Sequence, residues 1–135
     1  MLDEVIYQND LMNVDWDRLK AVLAEDEFDN GRTPEQLRSS FENSRVVLAW
    51  ANGEVIGTAR ALSDGVCNAY VVDVWTRSSF RRRGIARRML ELLLAQLPGQ
   101  HVYLFTDDAQ PFYRAVGFQP QGTGMGQVVG DWLIW

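Results

Sequence analysis

A mixed α/β fold, with a mostly antiparallel twisted sheet flanked by helices, is predicted by three observations on this 135-residue chain. Two β-rich runs, 46–50 and 55–62, are joined by Asn52-Gly53, a dipeptide that supplies the positive φ angles of a two-residue hairpin turn. A third such run, 68–76, follows the turn signal Asp64-Gly65 and is expected antiparallel to its predecessor. An amphipathic stretch then separates it from the apolar run 102–105, and strands joined through a helix lie parallel by a right-handed crossover.

In chain order, Val5, Ile6 and Tyr7 make a short first strand. Trp16, Leu19, Val22 and Leu23 repeat at helical spacing and predict a helix over 14–24. Thr33-Pro34-Glu35-Gln36 combines an N-cap, a proline at the first helical position and a capping-box Gln, which starts a second helix running to about Asn43. The acidic linker 25–31 between these helices has little to bury. Met89, Leu90, Leu92, Leu93, Leu94 and Leu97 give 84–97 a broad apolar helical face, stopped by Pro98-Gly99. Asp108 is placed to cap a helix from Ala109 to Val116, which Gly117 ends. After a Gly-rich loop, 128–135 reads as a final strand, and the expected order is βααβββαβαββ. The length suits one domain, 1–135, with a core that needs no disulfide or metal.

The net charge of −5 conceals an asymmetry: residues 77–88 carry six arginines and no acid, which leaves eleven net negative charges on the rest. A nucleic-acid binder needs a wider basic footprint than this. The pattern suits one basic pocket for a polyanion on an acidic body able to attract a cationic amine. The lone Cys67 excludes an internal disulfide framework, the opening Met-Leu-Asp-Glu-Val-Ile lacks a secretory pattern, and no apolar run approaches a membrane span. A soluble cytoplasmic protein, monomer or homodimer, is the expectation.

The junction from the strand at 68–76 through the basic loop into the helix at 84 has the features of a phosphate cradle. A helix start leaves its first N–H groups unpaired and partially positive, and Gly84 lets a ligand approach the backbone. Arg77, Arg81, Arg82, Arg83, Arg87 and Arg88 surround that point.

Arg81-Arg82-Arg83-Gly84-Ile85-Ala86 resembles the (Gln/Arg)-x-x-Gly-x-(Gly/Ala) signature of the GCN5-related N-acetyltransferases, the GNAT family, which holds the pyrophosphate of acetyl-CoA. Ala109-Gln-Pro-Phe-Tyr113-Arg-Ala-Val-Gly-Phe118 is similar to that family's second landmark, Ala-x-x-Phe-Tyr-x-x-x-Gly-Phe. The resemblance runs from about residue 56 to 118. It implies the acetyltransferase fold, acetyl-CoA as donor, and an amine acceptor bound near 25–31. It further implies that the main chain of Val74, Trp75 and Thr76 lies along the pantetheine arm and thioester. The amides from Arg81 through Gly84, Ile85, Ala86 and Arg87 would surround the pyrophosphate, with the arginine side chains, those of Arg81, Arg82, Arg83 and Arg87, near the phosphates. Ala86 in place of the commoner glycine stays within the pattern.

Acetyl transfer needs a positioned donor, a neutral amine and stabilisation of the departing thiolate. Tyr113 corresponds to the family tyrosine that often donates a proton or hydrogen bond to the leaving sulfur, and its alternative role is a core aromatic beside Phe112. Asp73 aligns with a strand carboxylate that removes a proton from the amine in some members; it is equally open to orienting the acceptor or to structural work. Strict alternation puts Asp73 on the face shared by Val71 and Trp75. Asp3, Glu4, Glu25, Asp26, Glu27 and Asp29 are candidates for an acidic acceptor entrance, against the reading of a solvated loop.

Other chemistries fit poorly. With His101 the only histidine and Cys67 the only cysteine, neither a histidine-centred triad nor a zinc cluster is available from the usual ligands, and no metal is expected. Gly122-Thr-Gly-Met-Gly126 lacks the preceding strand and following helix of a dinucleotide fingerprint and reads as a loop. The expected reaction is direct attack of a small primary amine in a ternary complex, since no nucleophile sits beside a matched base. Alternatives are a non-catalytic acyl-CoA binding or sensing module and a protein or peptide amine acetyltransferase.

Overall fold

The computed structural model describes residues 4–134. Strands β1 (Ile6–Gln8), β2 (Arg45–Ala51), β3 (Glu54–Ser63), β4 (Asn68–Thr76) and β5 (His101–Tyr103) form one sheet in the order β1-β2-β3-β4-β5. Neighbours are antiparallel except β4 and β5, which pair in parallel. Helices α1 (Trp16–Glu25) and α2 (Pro34–Glu42) precede the hairpin, α3 (Ile85–Leu94) connects β4 to β5, and α4 (Gln110–Ala115) follows β5.

Local chemistry sets the helix starts. Asp15 accepts the Arg18 N–H at 3.0 Å at the head of α1. At α2 the capping box is complete: Thr33 Oγ1 accepts the Gln36 N–H at 3.1 Å and Gln36 Oε1 accepts the Thr33 N–H at 3.0 Å. Alternation along β2 then sends Val47 and Ala49 to one face and Val46 and Leu48 to the other. The first face packs with Met89, Leu90 and Leu93 of α3; the second packs with Leu19, Val22 and Leu23 of α1 and Leu37 and Phe41 of α2. The sheet is thus covered on both sides. Gly57 in β3 permits the close approach of α3, because a Cβ there would meet Met89 Cε at 2.9 Å.

Two expectations are corrected. Asp108 does not cap the helix at 109: Ala109 donates its N–H to Thr106 Oγ1 at 3.0 Å, and α4 starts one residue later without a side-chain cap. The strand expected at 128–135 does not form in the described part, 128–134; Trp135 lies outside the described residues. Gly130, inside the expected strand, takes φ +70°, outside the strand region. The segment is instead drawn sideways: Trp132 Nε1 donates to the Asn30 carbonyl at 3.2 Å, and Gln36 Nε2 donates to the Leu133 carbonyl at 3.0 Å. Leu133 has φ +61°, which a strand does not accommodate.

Candidate active site

Strand β4 is not regular. Thr58 opposes Trp75 while Arg60 opposes Val72, so Asp73 and Val74 together face Ala59, and Asp73 takes φ +52°. The buried Thr58 hydroxyl donates to the Asp73 carbonyl at 2.8 Å and helps hold this bulge. The extra residue reverses the alternation: Val71 packs on the α3 face and Trp75 on the α1/α2 face. The common face expected for Val71, Asp73 and Trp75 therefore does not exist. The Asp73 carboxylate accepts from Arg32 through both oxygens, Nη1 at 3.0 Å and Nη2 at 3.1 Å, and from Arg60 Nε at 2.5 Å. Arg32 also donates to Asn30 Oδ1 and Ser40 Oγ, and Arg60 donates to Ser44 Oγ and lies over the Phe41 ring at 5.6 Å.

Pairing of β4 with β5 stops at Tyr70, opposite Tyr103, so from Val71 to Thr76 the strand has β3 on one side and, among the described residues, no strand on the other. Val74, Trp75 and Thr76 sit on this open edge. The Thr76 hydroxyl is buried without a hydrogen-bond partner, an orphan of the sort that a bound polar group relieves.

Beyond Thr76 the chain makes a short 3-10 turn, Ser78–Phe80, and reaches Gly84, which has φ +76° and heads α3 without a side-chain cap. The first α3 bond runs from the Arg88 N–H to the Gly84 carbonyl, leaving the amides of Ile85, Ala86 and Arg87 ahead of the ladder. In the free protein a Cβ at Gly84 would meet nothing within 4 Å, so glycine is demanded there by conformation, not by crowding. The arginines divide. Arg81 turns back to the Thr76 carbonyl and Asp26, Arg83 lies over the Phe80 ring, and Arg87 pairs with Glu91. Arg82, with φ +64°, is exposed.

Within the acidic linker, Asp26 is the carboxylate that turns inward. Asp26 accepts from Trp75 Nε1 at 2.8 Å, Ser78 Oγ at 2.5 Å, the Ser78 N–H and Arg81. Burial opposes its charge, but the hydrogen bonds from Ser78 and Trp75 outweigh it and hold its pKa below the usual value. Asp29 pairs with Lys20 and accepts the Gly31 N–H. Glu4, Glu25 and Glu27 are exposed, and Asp3 lies outside the described residues. Of the candidates for an acidic entrance, Asp26 and Asp29 hold the loop through these contacts, while Glu4, Glu25 and Glu27 face solvent.

Tyr113 stands on α4 with its ring edge-on to Phe112 and Phe118, at 5.1 and 5.9 Å between centroids. Its hydroxyl has no hydrogen-bond partner among the described residues. Burial, with the nearby Asp108 charge, raises its pKa above the ordinary 10. It lines a cavity of about 560 Å³ with Leu104, Phe105, Phe118 and the loop at 119–124. No residue of β4 or the arginine loop lines that cavity. The 122–126 loop packs by Gly124 against the Phe105 ring, consistent with a loop reading.

Arg32, Arg60 and the structural role of Asp26 went unread in the sequence. Arg60 carried a faint signal, an arginine between two alanines of a buried strand; Arg32 carried none.

The sheet is open beside its fourth strand, which leads into an uncapped helix start followed and preceded by arginines. The model of the acetyltransferase (GNAT) family matches residues 9–118, and the chain belongs to that family, whose members use acetyl-CoA as donor. Among curated relatives it is 38% identical over 96 residues to serotonin N-acetyltransferase 2, chloroplastic, of Oryza sativa subsp. japonica, an alignment covering 64% of this chain and 48% of the relative. It is 26% identical over 120 residues to GCN5-related N-acetyltransferase 3, chloroplastic, of Arabidopsis thaliana, covering 86% of this chain and 48% of the relative. The chain therefore spans about half the length of these relatives. Among solved structures, a GNAT-family acetyltransferase of Streptococcus pneumoniae TIGR4 superposes with a TM-score of 0.75 at 23% identity, covering 96% of this chain and 100% of that one. Glucosamine-6-phosphate N-acetyltransferase of Arabidopsis thaliana gives 0.73 at 16%, covering 94% and 99%. At these identities the likeness is one of fold.

Proposed function

We propose that this chain transfers the acetyl group of acetyl-CoA to the primary amine of a small molecule by direct attack in a ternary complex. The observation that carries this reading is the open edge of β4 running into the unladdered amides at the head of α3. In this reading the main chain of Val74, Trp75 and Thr76 aligns the pantetheine arm and thioester. The amides of Gly84, Ile85, Ala86 and Arg87 take the pyrophosphate, assisted by Arg82 and Arg83.

The amine nitrogen attacks the thioester carbon, the C–S bond breaks, and the thiolate takes a proton from the Tyr113 phenol, which its raised pKa keeps protonated at neutral pH. With both oxygens of Asp73 already accepting from guanidinium groups, water carries the proton away from the amine and Asp73 keeps the bulge in place. An acceptor with a single ammonium group on an apolar body is favoured over a polycation. The engagement of Asp26 by Trp75 and of Asp29 by Lys20 supports this, as does the relative named for serotonin.

The test is a panel of arylethylamines, polyamines, amino acids, aminoglycosides and peptides, followed by release of free thiol from acetyl-CoA. Thiol release with a small monoamine supports the reading. Acetyl-CoA binding without thiol release across the whole panel contradicts it.

A further inference from the structure

We infer that Arg32 is a positioning residue: it ties the loop between α1 and α2 to the bulge of β4, so that the loop expected to shape the acceptor site sets the geometry of the strand edge that aligns the thioester. The inference rests on the acetyltransferase reading given above. Three observations lead to it.

First, the bulge is a strained conformation that needs support, since a non-glycine residue at φ +52° is uncommon even for aspartate. The next two residues, Val74 and Trp75, begin the segment proposed to carry the thioester. Second, the support comes from a distant loop. Arg32 and Asp73 are 41 residues apart in the chain, and the guanidinium engages both carboxylate oxygens in a fork that only arginine can make. Third, the pair is shielded: the side chains of Arg32, Arg60 and Asp73 are 8%, 12% and 15% exposed. Shielding gives the contact a rigidity that a solvent-exposed ion pair lacks.

Arg32 is anchored at its base as well. Asn30 Oδ1 accepts from Arg32 Nε at 2.8 Å, while the Asn30 carbonyl accepts from the Trp132 indole. The α1–α2 loop, the C-terminal segment and the β4 bulge form one hydrogen-bonded chain with Arg32 at its centre. Arg60 holds Asp73 from within the sheet, next to the strand it supports; of the two arginines on Asp73, Arg32 is the one that belongs to the loop.

The experiment compares wild type with Arg32→Lys, which keeps the charge but not the fork, and Arg32→Gln, which keeps neither. Turnover of the best amine, the Kd of acetyl-CoA, the Tm and amide hydrogen exchange at Val74 and Trp75 are measured for each. Expected are a fall in kcat of about tenfold or more for both variants, an acetyl-CoA Kd within about twofold of wild type, and faster exchange at Val74 and Trp75 with α3 unchanged. A merely structural arginine would lower the Tm and leave kcat alone. Wild-type turnover in Arg32→Lys overturns the inference, whatever the Tm. If wild type itself turns over no amine, the acetyltransferase reading fails on its own account. Exchange then decides the tie: unchanged rates at Val74 and Trp75 in Arg32→Lys overturn it, and accelerated rates support it.

Discussion

Asp73 and Tyr113 are the two side chains that sequence resemblance brings closest to chemistry, and their surroundings separate them. Tyr113 has a hydroxyl without a hydrogen-bond partner among the described residues and a pKa pushed upward by burial, which together leave a proton available at neutral pH. Tyr113→Phe should therefore lower kcat by about tenfold to a thousandfold with little change in acetyl-CoA affinity, because the ring contacts remain. Equal turnover in steady-state assays of the two proteins would reduce Tyr113 to a packing residue. Asp73 is surrounded by donors instead. Asp73→Asn removes one accepting oxygen and the charge that balances two guanidiniums, so it should lower the Tm and kcat together. The shape of the pH–rate profile should not change, since the proposed role involves no proton transfer. Loss of a limb of that profile in the variant would restore Asp73 as a base.

At the scale of elements, the head of α3 and the end of α1 are coupled through Asp26. Gly84 occupies the left-handed region with open space around its missing side chain, so Gly84→Val should fold at a strain cost of about 1–2 kcal/mol. Its Cβ and methyl groups would project where a phosphate approaches. Calorimetry should show weaker acetyl-CoA binding than for truncation of Arg82, Arg83 or Arg87, each a charge-assisted contact of about 1–3 kcal/mol. Asp26 binds Trp75 and Ser78 more tightly as a carboxylate than as an acid, so its folded pKa lies below the unfolded value. Its stabilisation is fully present above about pH 4 and is lost as pH falls through the folded pKa. Asp26→Asn should cost about 2 kcal/mol at neutral pH, and denaturation at several pH values should find that difference shrinking on acidification. A difference independent of pH would show that the charge contributes nothing.

Across the whole molecule, the C-terminal segment closes back on the α1–α2 loop through Trp132 and Leu133. Trp132→Phe keeps an aromatic ring and removes the indole donor, a loss of about 1 kcal/mol. The KM of the amine should rise several-fold while acetyl-CoA affinity stays constant, because the loop is released and the arginine-ringed helix start is untouched. A changed acetyl-CoA Kd with an unchanged amine KM in paired titrations would contradict this placement.

What the sequence by itself determined was local: the hairpin at Asn52-Gly53, the capping box at Thr33, the amphipathic α3 and the anion-suited turn at Gly84. Each depends on residues within about one helical turn or one strand of each other, where spacing and backbone preference suffice. Tertiary structure decided the rest. The bulge at Asp73 departs from simple alternation and is held by Thr58, Arg32 and Arg60, the first 15 and the second 41 residues away. Asp26 becomes an anchor because Trp75, 49 residues on, points its indole at it. The tail, β-prone in composition, lies against a loop 102 residues earlier, where Trp132 donates to the Asn30 carbonyl and Leu133 accepts from Gln36. A carboxylate in a strand reads alike whether it faces an incoming amine or two buried guanidiniums; only the folded chain brings those guanidiniums to it.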